Sequence, residues 1–196
     1  MEKNNFIIGI TGGSGCGKTT MLDLIREKGG LVLDCDAIYH RLLREDPALL
    51  AAIEARFPGV VEDGQLQRKK LGNIVFPDEN ALSDLNKITH SAVKADVLRQ
   101  LQVQPKLAAI DAIGLFEGEL AQLCDVTVAI TAPEEARVQR LMAREGISEE
   151  YARSRIAAQR SQAEFEALCH HVLENSSDIC AFRAKCLAFL QSFGIM

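Results

Sequence analysis

A short glycine-rich segment near the start constrains the fold more than any other feature of the sequence. Residues 12–19 read G-G-S-G-C-G-K-T, which fits the pattern G-x-x-x-x-G-K-T, and they follow an apolar run at residues 6–10. A helical pattern at residues 20–27 comes next. In this context the glycines let backbone N–H groups wrap an anion at the positive end of a helix. The segment therefore predicts a phosphate-binding loop in a chain that handles ATP or GTP.

The residue types of the loop indicate how it would hold a nucleotide. Lys18 can reach the outer phosphates, and the Thr19 hydroxyl can ligate Mg²⁺, with Asp36 or Asp111 contributing through water. A thiol at Cys16 is either an unusually acidic group or a small residue that fills the loop, and the second interpretation is favoured. The residues expected to contact ATP in this segment are Gly13, Ser14, Gly15, Cys16, Gly17, Lys18, Thr19 and Thr20.

Apolar runs alternate with helical patterns along most of the chain. The five runs lie at residues 6–10, 31–33, 107–110, 126–130 and 171–173. Short continuous apolar strands separated by helices predict the α/β class, with a parallel sheet covered on both faces. Residues 48–104 break the alternation and read as a helical insertion, which supplies either an acceptor pocket, as is common in nucleotide-binding proteins, or a purely structural cap. We expect a core at residues 1–47 and 105–196, with a lid at about 137–160 and an acceptor-binding domain at 48–104.

Composition excludes several classes of protein. A hydrophobic content of 47% over 196 residues is enough for a core, and the net charge of −5 argues against a nucleic-acid partner. No apolar run has the roughly 18 residues of a membrane span, and the polar opening is not a secretory leader, so we expect a cytoplasmic protein. Six scattered cysteines without a C-x-x-C pair predict reduced thiols and no zinc site.

Carboxylates follow two of the predicted strands. Asp34 and Asp36 end the second run, and phosphoryl transfer to a hydroxyl needs an acceptor for its proton, for which Asp36 is our candidate. Asp34 is better suited to capping the next helix or to organising Mg²⁺ through water. Asp111 ends the third run, and either it or Glu117 is expected near the Mg²⁺ shell. In an α/β sheet these positions share the edge where ligands bind.

Arginines with helical spacing follow the fourth run. Arg137, Arg140 and Arg144 fall at i, i+3 and i+7, which puts three guanidinium groups on one helix face. Such a face suits a lid that closes over a triphosphate, although a solvated face with glutamate partners has the same pattern. Asn175 follows the last run and either contacts the nucleotide base or belongs to a helix cap.

Taken together, the motifs resemble the dephospho-coenzyme A kinase family. The resemblance runs from about residue 7 to residue 175 and rests on the order and spacing of the loop, Asp34–Cys35–Asp36 with Tyr39–His40, residues 63–76, residues 85–90, Leu115–Phe116–Glu117 and the arginine helix. It implies a three-layer P-loop fold with a central parallel five-stranded sheet, a helical acceptor-binding insertion and a helical lid. It also implies transfer of the γ-phosphoryl group of ATP, with Mg²⁺, to the ribose 3′-hydroxyl of dephospho-coenzyme A.

The resemblance implies roles for residues that the pattern alone leaves open. Asp36 corresponds to the family's catalytic aspartate, with Lys18 and Arg140 also catalytic. ATP would contact Arg140, Arg144 and Asn175 beyond the loop. The residues expected on the acceptor side are Thr11, Asp36, His40, Arg68, His90 and Glu117.

Three other functions remain open on sequence grounds. The chain could be a kinase of another small hydroxyl acceptor, such as a nucleoside or nucleotide, or an inactive structural relative. It could also be a nucleotide-switched binding protein, but residues 86–89 read N-K-I-T and lack the aspartate of a guanine-specific N-K-x-D loop. Partners are expected to be ATP and dephospho-coenzyme A, without nucleic acid or membrane, in a monomer or small homo-oligomer.

Overall fold

The computed structural model describes residues 5–195 and shows seven β-strands and nine α-helices within them. In chain order these elements are β1 (Phe6–Thr11), α1 (Lys18–Glu27), β2 (Leu31–Asp34), α2 (Cys35–Glu45), α3 (Pro47–Arg56), β3 (Val61–Glu62), β4 (Gln65–Leu66), α4 (Arg68–Val75), α5 (Glu79–Leu101), β5 (Leu107–Asp111), β6 (Val126–Thr131), α6 (Glu134–Glu145), α7 (Glu149–Ala157), α8 (Gln162–Leu168), β7 (His171–Glu174) and α9 (Ile179–Ser192).

The predicted five-stranded parallel sheet is confirmed. Its strand order is β2-β5-β1-β6-β7, so β1, which leads into the predicted phosphate loop at residues 12–19, is central. Ile8 pairs with Ala109 of β5 on one side and with Val126 of β6 on the other. These strands are continuous apolar runs because both faces of a parallel sheet are buried under helices.

The chain divides into two compact units, and the sheet dominates the first. Among the described residues this unit contains 5–33, 104–116 and 120–195. The apolar side chains of β1, β5 and β6 form one core with those of α1 and α9. Ile10, Met21, Ile25 and Phe182 are fully buried there. The helix that follows the phosphate loop is thereby fixed against the sheet.

The second unit contains residues 34–103 and 117–119 and is mainly helical. Its helices are α2 to α5, and the strands β3 and β4 form an antiparallel hairpin. The pattern at residues 48–104 predicts only helices, so the hairpin differs from that expectation. Asp63 and Gly64 connect the two strands with φ angles of 50° and 72°, which suits the tight turns that join short antiparallel strands.

Helix caps explain several of the boundaries. The Asp34 carboxylate accepts a hydrogen bond from the Ala37 N–H at 2.9 Å, so its predicted capping role is confirmed. Ser148 caps α7 in the same way, and Gly146 ends α6 in the left-handed conformation that favours glycine. Across residues 5–195, no helix is both long and apolar enough to cross a membrane.

Candidate active site

The segment between β1 and α1 forms a tight turn that opens into the helix. The Cys16 N–H donates to the Gly13 carbonyl at 3.3 Å, which places Ser14 and Gly15 at the corner of the turn. Gly15 has φ +78°, as the third residue of a type II turn requires. A side chain at Gly17 would meet the Asn175 amide nitrogen at 2.3 Å from its Cβ. The glycines therefore serve both the turn and the close approach of neighbouring groups.

Three side chains from distant parts of the first unit hold the loop carbonyls. Arg137 Nε donates to Ser14 O at 2.9 Å, Arg140 Nη1 donates to Gly15 O at 3.2 Å, and Asn175 Nδ2 donates to Cys16 O at 2.9 Å. In a trans peptide the N–H group points opposite to the carbonyl. Turning the carbonyls of residues 14 and 16 towards these side chains thus directs the N–H groups of residues 15 and 17 to the other side of the loop, where they can bind an anion.

The two loop-holding arginines, Arg137 and Arg140, bring positive charge to the loop without forming an ion pair to any of residues 5–195. Arg137 is 8% exposed, and Arg140 is half-buried. Burial lowers the pKa of Arg137, with the charge of Glu134 offsetting part of this effect, but a guanidinium stays protonated in proteins. No ion pair forms at either arginine in the part of the chain that the structure describes. Buried charge is costly unless it is compensated, so this cluster is suited to an anionic ligand.

Lys18 lies between the loop and the end of a neighbouring strand. Its ammonium nitrogen donates to the Gly12 carbonyl at 3.0 Å and lies 3.9 Å from Asp111 Oδ1. Asp111 is the last residue of β5 and pairs in register with Ile10 of β1. The sheet register therefore explains why these two charges, predicted separately from the sequence, lie together.

Cys16 is a filler of the loop and not an acidic thiol. The residue is 2% exposed, and burial raises the pKa of its thiol, although Lys18 and Arg137 act in the opposite direction. A thiol with a raised pKa stays protonated at neutral pH and is a poor nucleophile. The structure thus supports the interpretation of Cys16 as a small buried residue.

The remaining nucleotide-side candidates are placed differently from one another. Thr19 and Thr20 lie in the first turn of α1, and Thr19 is exposed. Thr11, which is an acceptor-side candidate, is buried in the first unit, and its hydroxyl donates to the Ile113 carbonyl at 3.2 Å. Arg144 is exposed and donates to its neighbour Glu145, so the structure does not bring it to the loop. It lies seven residues beyond Arg137, or about 10 Å further along the helix, which is too far for this contact.

Within the second unit, the candidate base Asp36 and the acceptor-side candidate His40 are both exposed on α2. Asp36 is the second residue of this helix, which begins directly after β2 ends at Asp34. Its side chain is exposed, as is that of His40. The ring of His40 lies 5.4 Å from that of Tyr39, centroid to centroid.

Two cavities in the second unit contain the other acceptor-side candidates. His90 and Glu117 line a cavity of about 670 Å³ together with Lys87 and Lys94. Arg68 and Tyr39 line a more apolar one of about 290 Å³. Burial raises the pKa of Tyr39, and the nearby charge of Arg68 offsets part of that rise. Both volumes lie near or within the range of small-molecule sites.

Gln159 and Arg137 contact the loop, although no sequence pattern predicts a specific role for either. Gln159 follows α7, and its carboxamide is bonded to Ser14 through both its oxygen and its nitrogen. Arg137 was expected only as one member of a lid face. A lone glutamine has no pattern that predicts a contact, because the bond joins residues 145 positions apart.

Comparison with known proteins places this arrangement in a family. A family model described as dephospho-CoA kinase matches residues 6–181. The dephospho-CoA kinase of Latilactobacillus sakei is 32% identical over 192 residues, which is 95% of this chain and 95% of that protein. A crystal structure from Thermus thermophilus is 33% identical with a TM-score of 0.80, covering 96% of this chain and 97% of that one. The dephospho-CoA kinase of Campylobacter jejuni is 25% identical with a TM-score of 0.67, covering 97% and 98%. The chain therefore belongs to the dephospho-CoA kinase family.

Proposed function

We propose that this chain transfers the γ-phosphoryl group of ATP to the ribose 3′-hydroxyl of dephospho-CoA. The observation that carries the donor half is the phosphate loop held by two arginines that have no acidic partner among residues 5–195. The acceptor half rests on the family, whose model spans residues 6–181. Phosphoryl transfer depends mostly on positioning and on stabilising charge, and this loop is built for both.

On the donor side, the loop and Lys18 hold the triphosphate. The N–H groups that face away from the held carbonyls bind phosphate oxygens, and Lys18 neutralises charge on the outer phosphates. Arg140 keeps the loop in this form and adds a positive charge beside it. Among residues 5–195, Arg144 contacts Glu145 and makes no contact that supports a role at the phosphates.

The residues beside the loop also suit a magnesium ion. Mg²⁺ is usually bound by one or two carboxylates together with substrate phosphates, and it keeps several waters. Thr19 and Asp111 supply such a donor set, and the described residues hold no cluster of three or more acidic, histidine or cysteine side chains that would form a complete protein cage. The ion would neutralise charge on the β- and γ-oxygens.

On the acceptor side, Asp36 is the proposed base. Its exposed carboxylate accepts the proton of the attacking hydroxyl, while Asp34 is occupied in capping α2. The cavity that contains His90 and Glu117 is the proposed pocket for part of the acceptor, with Lys87 and Lys94 on its wall for the negative charge of a pyrophosphate. His40 and Arg68 are proposed as further acceptor contacts.

The proposal includes the setting in which the reaction takes place. We propose a cytoplasmic enzyme that uses ATP and dephospho-CoA and has no nucleic-acid or membrane partner. The net charge of −5 supports the absence of a nucleic-acid partner, and the loop supports ATP as the donor. A monomer or small homo-oligomer remains our expectation for its assembly.

An acceptor panel tests the proposed function. The protein would be incubated with Mg²⁺ and ATP and, in separate reactions, with dephospho-CoA, adenosine or AMP, while ADP release and the mass of the product are measured. We expect phosphorylation of dephospho-CoA in preference to the others, and removal of the new phosphate by a 3′-nucleotidase. Preference for adenosine or AMP would overturn the proposal that dephospho-CoA is the acceptor. Nucleotide binding without any phosphorylated product would favour a nucleotide-switched binding protein.

A further inference from the structure

The side chain of Gln159 is bonded to one residue of the phosphate loop at two points. Its carbonyl oxygen accepts the Ser14 N–H at 2.8 Å, and its amide nitrogen donates to the Ser14 hydroxyl at 2.7 Å. Gln159 is half-buried and lies two residues after the end of α7. Two short hydrogen bonds from one planar amide fix both its position and its orientation.

Arg137 completes the contacts of Ser14. Its Nε donates to the Ser14 carbonyl at 2.9 Å, and its Nη2 lies 3.5 Å from the Gln159 carbonyl oxygen. The N–H, the carbonyl and the hydroxyl of Ser14 are thus all bonded to two side chains from outside the loop. Space is equally restricted, because a Cβ on Gly13 would lie 2.2 Å from Arg137 Nη2 and 3.1 Å from the Gln159 oxygen.

The bond to the Ser14 N–H sets the geometry of the whole turn. The Gly13–Ser14 peptide is trans, so turning its N–H towards Gln159 directs the Gly13 carbonyl to the opposite side. That carbonyl accepts the Cys16 N–H at 3.3 Å and closes the turn. The anion-binding N–H groups therefore begin at Gly15, and Gln159 determines where they point.

We propose that Gln159 is a positioning residue for the donor nucleotide. It acts through Ser14 and has no contact with the phosphates of its own. Its carboxamide holds the loop in the conformation that binds ATP, and its two hydrogen bonds connect the segment after α7 to Ser14 of the loop. The inference rests on the proposed function only in that ATP binds at the loop, and it does not depend on the identity of the acceptor.

Direct measurement of ATP binding without acceptor tests this role. The Kd for ATP would be measured by calorimetry for the wild type, Gln159→Ala and Gln162→Ala. Loss of two neutral hydrogen bonds predicts a Kd about 5- to 100-fold higher for Gln159→Ala. Gln162 is a matched control, because this exposed glutamine donates to Glu166. Its variant is expected to bind ATP as the wild type does.

A double-mutant cycle separates positioning from a general loss of structure. Ser14→Ala removes the hydroxyl but keeps the backbone N–H, so its Kd should rise less than that of Gln159→Ala. In the double variant the two effects should not add, since Gln159 acts through Ser14. Steady-state kinetics should show a raised KM for ATP with an unchanged KM for the acceptor, and the melting temperature should stay at the wild-type value.

Several results would overturn the proposal. An unchanged Kd for Gln159→Ala would remove any role in ATP binding, and a lower Kd would show that Gln159 competes with the nucleotide for the Ser14 N–H. Equal increases in both KM values together with a lower melting temperature would make the role structural. If the wild type itself failed to bind ATP, the proposed function would fail before Gln159 was tested.

Discussion

The phosphate loop and the carboxyl group of Asp96 are both surrounded by arginines, but their charge balance differs. At the loop, Arg137 and Arg140 donate to uncharged backbone carbonyls, and neither forms an ion pair among the described residues. At Asp96, the carboxylate accepts from Arg41 at 2.6 Å and also from Arg99. The first arrangement leaves its positive charge uncompensated, whereas the second is compensated within the fold.

This difference distinguishes a binding site from a structural cluster. A buried charge costs several kcal/mol unless a partner offsets it. Asp96 is 6% exposed, and its two arginines and the amide of Gln100 satisfy it. The loop needs an anion from outside to reach the same state. Substitutions at the two places should therefore affect different quantities, activity at one and the free energy of unfolding at the other.

The largest effect is expected from Asp36, whose exposed carboxylate belongs to neither arrangement. Asp36→Asn should lower kcat by about 10²- to 10⁴-fold, because the attacking hydroxyl loses its proton acceptor. The Kd for ATP should stay at the wild-type value, since the loop is untouched. Turnover and calorimetric ATP binding would be measured on the same preparation.

Asp34 provides a matched control for this prediction. Its carboxylate caps α2 through the Ala37 N–H, and asparagine caps a helix as well as aspartate does. Asp34→Asn should therefore keep nearly full activity. Wild-type turnover in Asp36→Asn, or equal losses in the two variants, would show that Asp36 is not the base.

An intermediate effect is expected from removing one of the loop-holding cations. Arg140 donates to Gly15 O and Cys16 O and also to the Asn175 carbonyl at 3.4 Å. Hydrogen bonds from charged groups contribute about 1.5–3 kcal/mol, so Arg140→Ala should raise the Kd for ATP about 10- to 100-fold. Calorimetry in low and high salt would measure the change.

Substitution of Arg144 tests whether ATP binding depends on the contacts of Arg140 with the loop or only on the positive charge of α6. Arg144 is exposed on the same helix and pairs with Glu145, so Arg144→Ala removes the same charge without touching the loop. We expect ATP binding close to that of the wild type. An equal rise in the Kd for ATP in Arg140→Ala and Arg144→Ala would mean that α6 acts through its overall charge. The hydrogen bonds from Arg140 to the loop would then not explain the difference between the loop and the Asp96 cluster.

The sequence predicted the sheet well because each strand is a local pattern. The apolar runs at residues 6–10 and 126–130 became β1 and β6, Phe6–Thr11 and Val126–Thr131, each one residue longer than predicted. The β3–β4 hairpin was not foreseen, since two-residue strands are too short to show periodicity. Asp63–Gly64 gave only a turn signal, which suits a break between helices as well as a hairpin.

The candidate site was predictable only where it is local in sequence. The loop motif predicted a phosphate-binding loop at residues 12–19, and the end of the third run predicted a carboxylate, Asp111, at the same edge of the sheet, where the structure places it 3.9 Å from Lys18. Gln159 was missed because a contact over 145 residues depends on how α7 packs, which no pattern around that glutamine reveals. The spacing of the arginines predicted that they share one face of the helix, but it did not predict which turns of the helix lie beside the loop. It therefore did not show that Arg140 would contact the loop and that Arg144 would not.

The smallest effect on activity and a clear effect on stability are expected at Asp96. Burial raises the pKa of this carboxyl group, but hydrogen bonds from Arg99, Arg41 and Gln100 more than offset the rise, and the net pKa is lowered. A lowered pKa in the folded state stabilises the protein above the unfolded value of about 3.9, and this contribution is lost as the pH falls through the folded value. Asp96→Asn should therefore lower the free energy of unfolding by about 1–3 kcal/mol at pH 7, with a difference that shrinks as the solution becomes more acidic than pH ~4.

Urea unfolding of the wild type and Asp96→Asn over this pH range measures that difference, and Asp84→Asn is the control. Asp84 also pairs with an arginine, Arg56, but its side chain is 36% exposed, so its variant should unfold near the wild-type urea concentration. A pH-independent difference at Asp96 would show that the side-chain amide fails for steric reasons and not through charge. A raised Kd for ATP in Asp96→Asn would show that the Asp96 cluster also contributes to ATP binding. Charge balance would then not distinguish a binding site from a structural cluster in this protein.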